Sequence, residues 1–245
     1  MNKPDISIVI PTYNEAARIQ DTLKRTDSYL QRQSFTYEII VCDAHSPDGT
    51  ADIVKAMQKK LTSVRLVDAG ARIGKGNNVK VGLEHASGRF HIFMDADLAT
   101  PLHHIQTAYD YLQAGADVVI AERDLRKIHS GYREYLSLLS NYLIQFLVAP
   151  GVSDTQCGFK GFSAKASAIC TQYQSILGWG FDFEYLLIAR RNKLRLATFT
   201  IGDWFDPKSK EEGLVGDNTL LASFKTLQEL FKIKVKDLQG AYRKK

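Results

Sequence analysis

Short apolar runs alternate along this chain with longer segments in which apolar positions recur every three or four residues. The runs at residues 6–10, 38–42, 64–67, 90–94 and 117–121 have strand length and are rich in β-branched or aromatic side chains. Between them, Ile19, Leu23 and Leu30 fall on one helical face, and so do Ile53, Val54 and Met57. Strands alternating with helices predict βαβ units and a mostly parallel sheet. Beyond residue 121 the pattern is less regular. Residues 132–148 predict a long helix that is strongly apolar toward its end. Residues 157–163 and 196–201 predict strands, and 181–191 and 220–231 predict helices. Nothing reads as a linker, so the expected architecture is one α/β domain.

The polar residues that interrupt this pattern are not placed at random. In an open parallel sheet, ligands bind beyond the carboxyl ends of the strands. Pro11-Thr12-Tyr13-Asn14-Glu15 follows the first strand, a cluster from Asp43 to Thr50 follows the second, and Asp95-Ala96-Asp97 follows the fourth. Asp95 and Asp97 have the character of ligands for a hard divalent cation, Mg2+ or Mn2+, which bridges a diphosphate. Pro11, Tyr13 and Glu15 are candidates to line a nucleotide pocket, and Asp43 to accept a bond from a base N–H. Thr12 and Glu15 also have the spacing of a helix capping box. Asp48-Gly49-Thr50 reads as a turn and helix cap. In Arg72-Ile73-Gly74-Lys75-Gly76, Lys75 is placed to meet a phosphate, although the Walker spacing is absent.

Composition narrows the picture. The 245 residues are 44% hydrophobic and 24% charged, ordinary values for a globular domain. Cys42, Cys157 and Cys170 are odd in number and widely spaced, which fits a reducing compartment and no zinc site. The first apolar run is too short for a signal peptide and no run is long enough to span a membrane, so neither is expected. The net charge of +5 lies wholly between Lys225 and Lys245, where seven basic residues face two acids. Such a tail suits an anionic membrane surface, an acidic partner or nucleic acid, and its bland alternative is a solvated end.

Taken together, these residues resemble family 2 glycosyltransferases with the GT-A fold. Residues 7–15, the acidic turn at Asp43, Gly74-Lys75-Gly76 and Asp95-Ala96-Asp97 match that family's order and spacing. Ala121-Glu122-Arg123, Arg133 with Ser137, and Asp154 to Lys160 are similar to polyprenyl- and dolichyl-phosphate glycosyltransferases. Asp154 to Phe162 and Gly178 to Glu184 look most like the dolichyl-phosphate β-glucosyltransferases. The likeness covers roughly residues 5 to 205.

The resemblance implies a Rossmann-like, mostly parallel central sheet flanked by helices in a single GT-A domain. Residues 1–121 would form the nucleotide-sugar half, 122–205 the acceptor half, and 206–245 an amphipathic basic segment. It implies inverting transfer of a hexose to a lipid monophosphate. Ala99, where mannose-transferring relatives carry glutamine, favours UDP-glucose over GDP-mannose. Arg123, Arg133 and Ser137 would hold the acceptor phosphate. Asp154 would orient a sugar hydroxyl or act as a base. Gln156 and Asp182 would line the donor pocket, and Trp179 would stand beside the sugar or pack in the core. A lipid acceptor implies a peripheral enzyme at the cytoplasmic face of a membrane, held by the apolar helix after Arg133 and by the basic tail, with no nucleic-acid partner. The competing readings are a GDP-mannose-dependent polyprenyl-phosphate mannosyltransferase, a glycosyltransferase of the same fold with a soluble sugar or protein acceptor, a nucleotidyltransferase, and a catalytically dead lipid-phosphate-binding protein.

Overall fold

The computed structural model describes residues 3–123, 148, 151–205 and 219–243, with the side chains of 219–226 left out. Among the described residues, seven strands form one sheet: β1 (Ile6–Thr12), β2 (Tyr37–Asp43), β3 (Val64–Asp68), β4 (Phe90–Met94), β5 (Val118–Arg123), β6 (Phe159–Ser163) and β7 (Leu196–Ile201). Their spatial order is β3-β2-β1-β4-β6-β5-β7. All ladders are parallel except the two made by β6, which runs antiparallel between β4 and β5. The expectation of a mostly parallel sheet is met, and one sheet spans both halves of the chain. The helices are α1 (Ile19–Leu30), α2 (Thr50–Gln58), α3 (Lys75–His85), α4 (His104–Gln113), α5 (Ala164–Tyr173), α6 (Phe181–Arg191) and α7 (Thr219–Leu238).

The central strands are buried on both faces, which is why they read as continuous apolar runs. Along each strand alternate side chains enter opposite layers. Val9, Ile40, Phe93, Ile120 and Phe162 pack with α3, α5, α6 and α7. Ile8, Ile10, Val41, Ile92 and Phe159 pack with α1, α2 and α4. Pro11 is buried inside β1. It is tolerated there because the β1–β4 ladder ends at Val9 and Phe93, so no partner on that side requires its missing N–H.

α7 reaches Leu238, beyond the predicted end at residue 231. The predicted helix over 132–148, with its apolar face, lies outside the described residues apart from Val148, as do Arg133 and Ser137. Among the described residues, no helix is long and apolar enough to cross a membrane.

Candidate active site

The strand order places a topological switch between β1 and β4. The chain steps outward from β1 to β2 and β3, then returns to β4 on the other side. Connections leaving β1 and β4 therefore diverge and open a crevice. Because β6 is antiparallel, its amino end lies on this same edge, with Phe159 opposite Met94. That brings the segment Asp154–Gly158 to the crevice.

The loop after β1 is not built as the capping-box spacing suggests. α1 starts only at Ile19, and no side chain among the described residues caps it. Thr12 instead donates its hydroxyl to Asp43 Oδ1 at 2.9 Å. The loop is braced by side chains from the loop after β2. Ser46 Oγ accepts the Asn14 N–H (3.0 Å), Thr50 Oγ1 that of Glu15 (2.9 Å), and Asp48 Oδ2 that of Ala16 (2.9 Å). Asp43 also takes the Ser46 N–H (2.9 Å) and hydroxyl (2.6 Å). Three of its four lone pairs are thus engaged, leaving one for a base N–H. Tyr13 lies beneath the Arg72 guanidinium, 4.1 Å from ring centre to Cζ.

Across the crevice, the Asp95 N–H donates to the Gly158 carbonyl at 3.1 Å. A Cβ at position 158 would run into the Asp95 carboxylate, so glycine is what lets the two segments meet. The Lys75 ammonium lies 2.5 Å from Asp95 Oδ1. Asp97 Oδ1 accepts the Ala99 N–H at 3.0 Å. Burial raises the pKa of Asp97, and Asp95 pushes it further. Burial also raises that of Glu15, with Asp97 and Asp95 adding to it while Arg18, 2.9 Å away, opposes. Three carboxylates that repel one another in a half-dry site have the chemistry of an oxygen-donor cation site. Asp95 and Asp97 fit Mg2+ or Mn2+ as ligands.

Gly74 and Gly76 let the Lys75 loop lie directly against another backbone segment. Gly76 N–H donates to Gly178 O (3.3 Å) and Asn77 N–H to Leu177 O (3.1 Å). A Cβ at either glycine would collide with residues 177 and 178. Beside this contact Trp179 is 64% exposed, with its ring centre 5.5 Å from Lys75 Nζ. Of its two readings, core packing is ruled out.

The C-terminal stretch supports this wall from behind. Buried Glu184 accepts the N–H groups of Ser175 (3.0 Å) and Ile176 (2.8 Å) and the Tyr242 hydroxyl (2.6 Å). Glu229 of α7 accepts the Gly180 N–H at 2.7 Å. The described part of the basic tail is therefore not a loose solvated end. Leu230, Ile233, Asp237 and Tyr242 are buried in the body of the protein.

At the end of β5, Arg123 grips Asp154 through Nε–Oδ2 (2.6 Å) and Nη2–Oδ1 (3.1 Å). The N–H groups of Arg123 (3.1 Å) and Gln156 (3.2 Å) take the other lone pairs of Asp154. A carboxylate that accepts four donors has no position left for a substrate proton. This geometry favours Asp154 as the holder of Arg123 over the roles of base or sugar ligand. The guanidinium also lies over Trp204, 5.2 Å from the ring centre. The Gln156 side chain is exposed next to this pair.

Asp182, expected to line the donor pocket, is buried. It pairs with fully buried Lys160 at 2.5 Å, and Lys160 also donates to Cys157 O at 2.7 Å. Burial raises the pKa of Asp182, opposed by Lys160 and Lys75. Lys160 was readable only as part of a motif. A lysine inside an apolar strand is the signal that a buried partner must exist.

One cluster escaped the sequence reading. His103, His104 and Asp203 bring their ligand atoms within 4.8 Å of one another. His104 Nε2 is 2.8 Å from Asp203 Oδ1 and must carry the proton, since the carboxylate only accepts. Its Nδ1 is buried with no partner among the described residues. A metal on Nε2 would force a proton onto that dry nitrogen, so this cluster is better suited to holding residues 203–205 than to binding an ion.

Comparison with known proteins agrees with this geometry. The model of Glycosyl transferase family 2 matches residues 7–169. A dolichyl-phosphate beta-glucosyltransferase of Trichomonas vaginalis is 30% identical over 87% of this chain and 71% of its own length. The Homo sapiens protein of that name is 29% identical over 97% and 77%. Among solved structures, glucosyl-3-phosphoglycerate synthase of Mycobacterium tuberculosis, in complex with Mn2+, UDP and glucosyl-3-phosphoglycerate, superposes with TM-score 0.66 at 21% identity, covering 94% of this chain and 80% of that one. Mannosyl-3-phosphoglycerate synthase of Rubrobacter xylanophilus gives 0.71 at 16%, covering 97% and 75%. These two share the GT-A fold with the chain. From the family match, the crevice at the β1/β4 switch and the acidic pair beyond β4, the chain belongs to glycosyl transferase family 2 and is a glycosyltransferase.

Proposed function

We propose that this glycosyltransferase moves glucose from UDP-glucose to the phosphate of a dolichyl or polyprenyl monophosphate, with inversion at the anomeric carbon. The observation that carries this is the division of the crevice by charge. Carboxylates and Lys75 gather beyond β4, and the Arg123 guanidinium is fixed by Asp154 at the end of β5, two strands away. The first group suits a diphosphate with its cation, and the second suits a phosphate monoester. The relatives named dolichyl-phosphate beta-glucosyltransferases support glucose as the sugar and a lipid phosphate as the acceptor.

A phosphate monoester with a second pKa of about 6 is largely a dianion at neutral pH. Its oxygen is already nucleophilic, so no side-chain base is required. That agrees with the engaged lone pairs of Asp154. The acceptor oxygen attacks the anomeric carbon as the bond to the nucleoside diphosphate breaks. Lys75 offers a cation beside the leaving diphosphate, and Arg123 orients the attacking phosphate. Tyr13 and Asp43 would meet the nucleotide, and Trp179 with Gln156 would meet the sugar. A divalent ion held by Asp95 and Asp97 would neutralise charge on the leaving group. An acceptor of this kind presents its phosphate at a membrane surface. The reading therefore puts the enzyme peripherally at the cytoplasmic face, which the three free, buried cysteines suit.

The test is incubation with a panel of nucleotide sugars, Mg2+ or Mn2+ and a polyprenyl phosphate, followed by mass spectrometry of the lipid product. A hexosyl-phosphoryl lipid formed fastest from UDP-glucose is expected. A higher kcat/KM for GDP-mannose overturns the donor, and transfer only to soluble acceptors overturns the lipid.

A further inference from the structure

α7 has two contrasting faces. Leu230, Ile233 and Asp237 point into the body of the protein. Leu227 (43% exposed), Phe231 (72%), Val235 (36%) and Leu238 (78%) point to solvent. Spacings of four, four and three place these four side chains in one stripe along the helix. They are half of the eight exposed large apolar side chains among the described residues, so they form a patch rather than the usual scatter.

The charges on the same stretch are sorted. Both acids turn inward: Asp237 is buried against Arg191 at 2.5 and 2.6 Å, and Glu229 is bound to the Gly180 N–H at 2.7 Å. Lys232 and Arg243 are exposed and Lys236 is part-buried. The outward surface of residues 227–243 therefore combines apolar side chains with cations and presents no acid.

We propose that this face of α7 docks on an anionic phospholipid bilayer. Phe231 and Leu238 would enter the boundary between headgroups and acyl chains, and Lys232, Lys236 and Arg243 would meet lipid phosphates. Charge decides against the other occupants. A two-fold pairing of this stripe with a second copy sets lysines against lysines with no acid opposite. Nucleic acid satisfies the lysines but leaves Phe231 and Leu238 in water. Glu229 links the docked helix to Gly180, next to Trp179, so the crevice wall is carried on the element that meets the membrane. The proposal rests on the lipid-phosphate reading for its purpose, and on α7 alone for its geometry.

The experiment is vesicle flotation of the full chain. Phosphatidylglycerol–phosphatidylcholine vesicles are compared with pure phosphatidylcholine vesicles at low and high salt. Transfer to a short-chain polyprenyl phosphate in detergent is measured in parallel. Binding to the anionic vesicles is expected to weaken with salt. It should fall about tenfold or more in Phe231→Ser/Leu238→Ser, and again in Lys232→Glu/Lys236→Glu. Both variants should keep the parent melting temperature and the detergent-phase transfer rate. Absence of binding to anionic vesicles at low salt, or binding unchanged by both variants, overturns the proposal. So does a dimer in sedimentation that Phe231→Ser/Leu238→Ser makes monomeric. Transfer that persists without vesicle binding sinks the docking face and leaves the acceptor reading standing. Vesicle binding without transfer sinks the acceptor reading and supports the docking face.

Discussion

Asp154 binds Arg123 through two bonds, one to each carboxylate oxygen, and accepts two backbone N–H groups as well, which fills its lone pairs. This geometry makes the carboxylate a positioning residue for the guanidinium. Arg123→Lys keeps the charge but loses the fork, so transfer should fall about 10- to 100-fold. Asp154→Asn should cost about 1.5–3 kcal/mol of stability, because a partner of a charged group is weakened. Its residual activity should keep the parent pH–rate profile. Loss of the acidic limb in Asp154→Asn would instead make Asp154 the base.

Asp97 carries a sign that separates function from stability. Its pKa is raised by burial, so the native state holds a proton more readily than the unfolded chain does. Its contribution to stability therefore falls as pH rises from the ordinary carboxylate value through the raised one. Asp97→Asn should lose more than about 100-fold in transfer. In chelator at neutral pH it should nonetheless melt at or above the parent temperature, and the difference should vanish in acid. Thermal melts across pH, alongside turnover, check both statements.

Lys160 and Asp182 neutralise each other in a dry interior. Lys160→Met leaves an unpaired buried carboxylate and should cost about 3–5 kcal/mol in denaturant unfolding. Lys160→Met/Asp182→Leu removes both charges and should cost clearly less than the sum of the single changes. Additive losses would show that the pair is not coupled.

Gly76→Ala brings a Cβ to 2.8 Å from both Gly178 O and Phe181 Cβ. Overpacking of this kind costs about 1–3 kcal/mol. Because the strain falls on the first turn of α3, which carries Lys75, donor KM should rise more than acceptor KM. Calorimetry and two-substrate kinetics read the two effects separately.

Tyr242→Phe removes the hydroxyl bond to Glu184 and should cost about 1 kcal/mol. Deleting residues 232–245 is a different kind of change. It takes Ile233, Asp237 and Tyr242 out of the body of the protein and should unfold the helix layer over α5 and α6. Point changes on the exposed face of α7 are therefore the informative way to probe the tail.

Much of this protein is local and could be read along the chain. The runs at 90–94 and 196–201 match β4 and β7 residue for residue, and 181–191 matches α6, because hydrophobic periodicity reports which face of an element is buried. The acidic turn at Asp95-Ala96-Asp97 was legible for a related reason, since two charges directly after a buried strand must leave the interior. Partners were not legible. Asp182 reads along the chain as a residue of the donor pocket, and only the fold buries it against Lys160, 22 residues away. Thr12 has the spacing of a helix cap, yet it bonds Asp43, 31 residues on, because α1 begins later than the motif implies. Tyr242 meets Glu184 across 58 residues. The antiparallel course of β6 is what brings Asp154 to the edge where Arg123 ends its strand. A sequence sets burial through periods of two and 3.6 residues, which need only neighbours. The pairing of a buried charge is chosen by strand order and direction, and these exist only once the chain has closed its sheet.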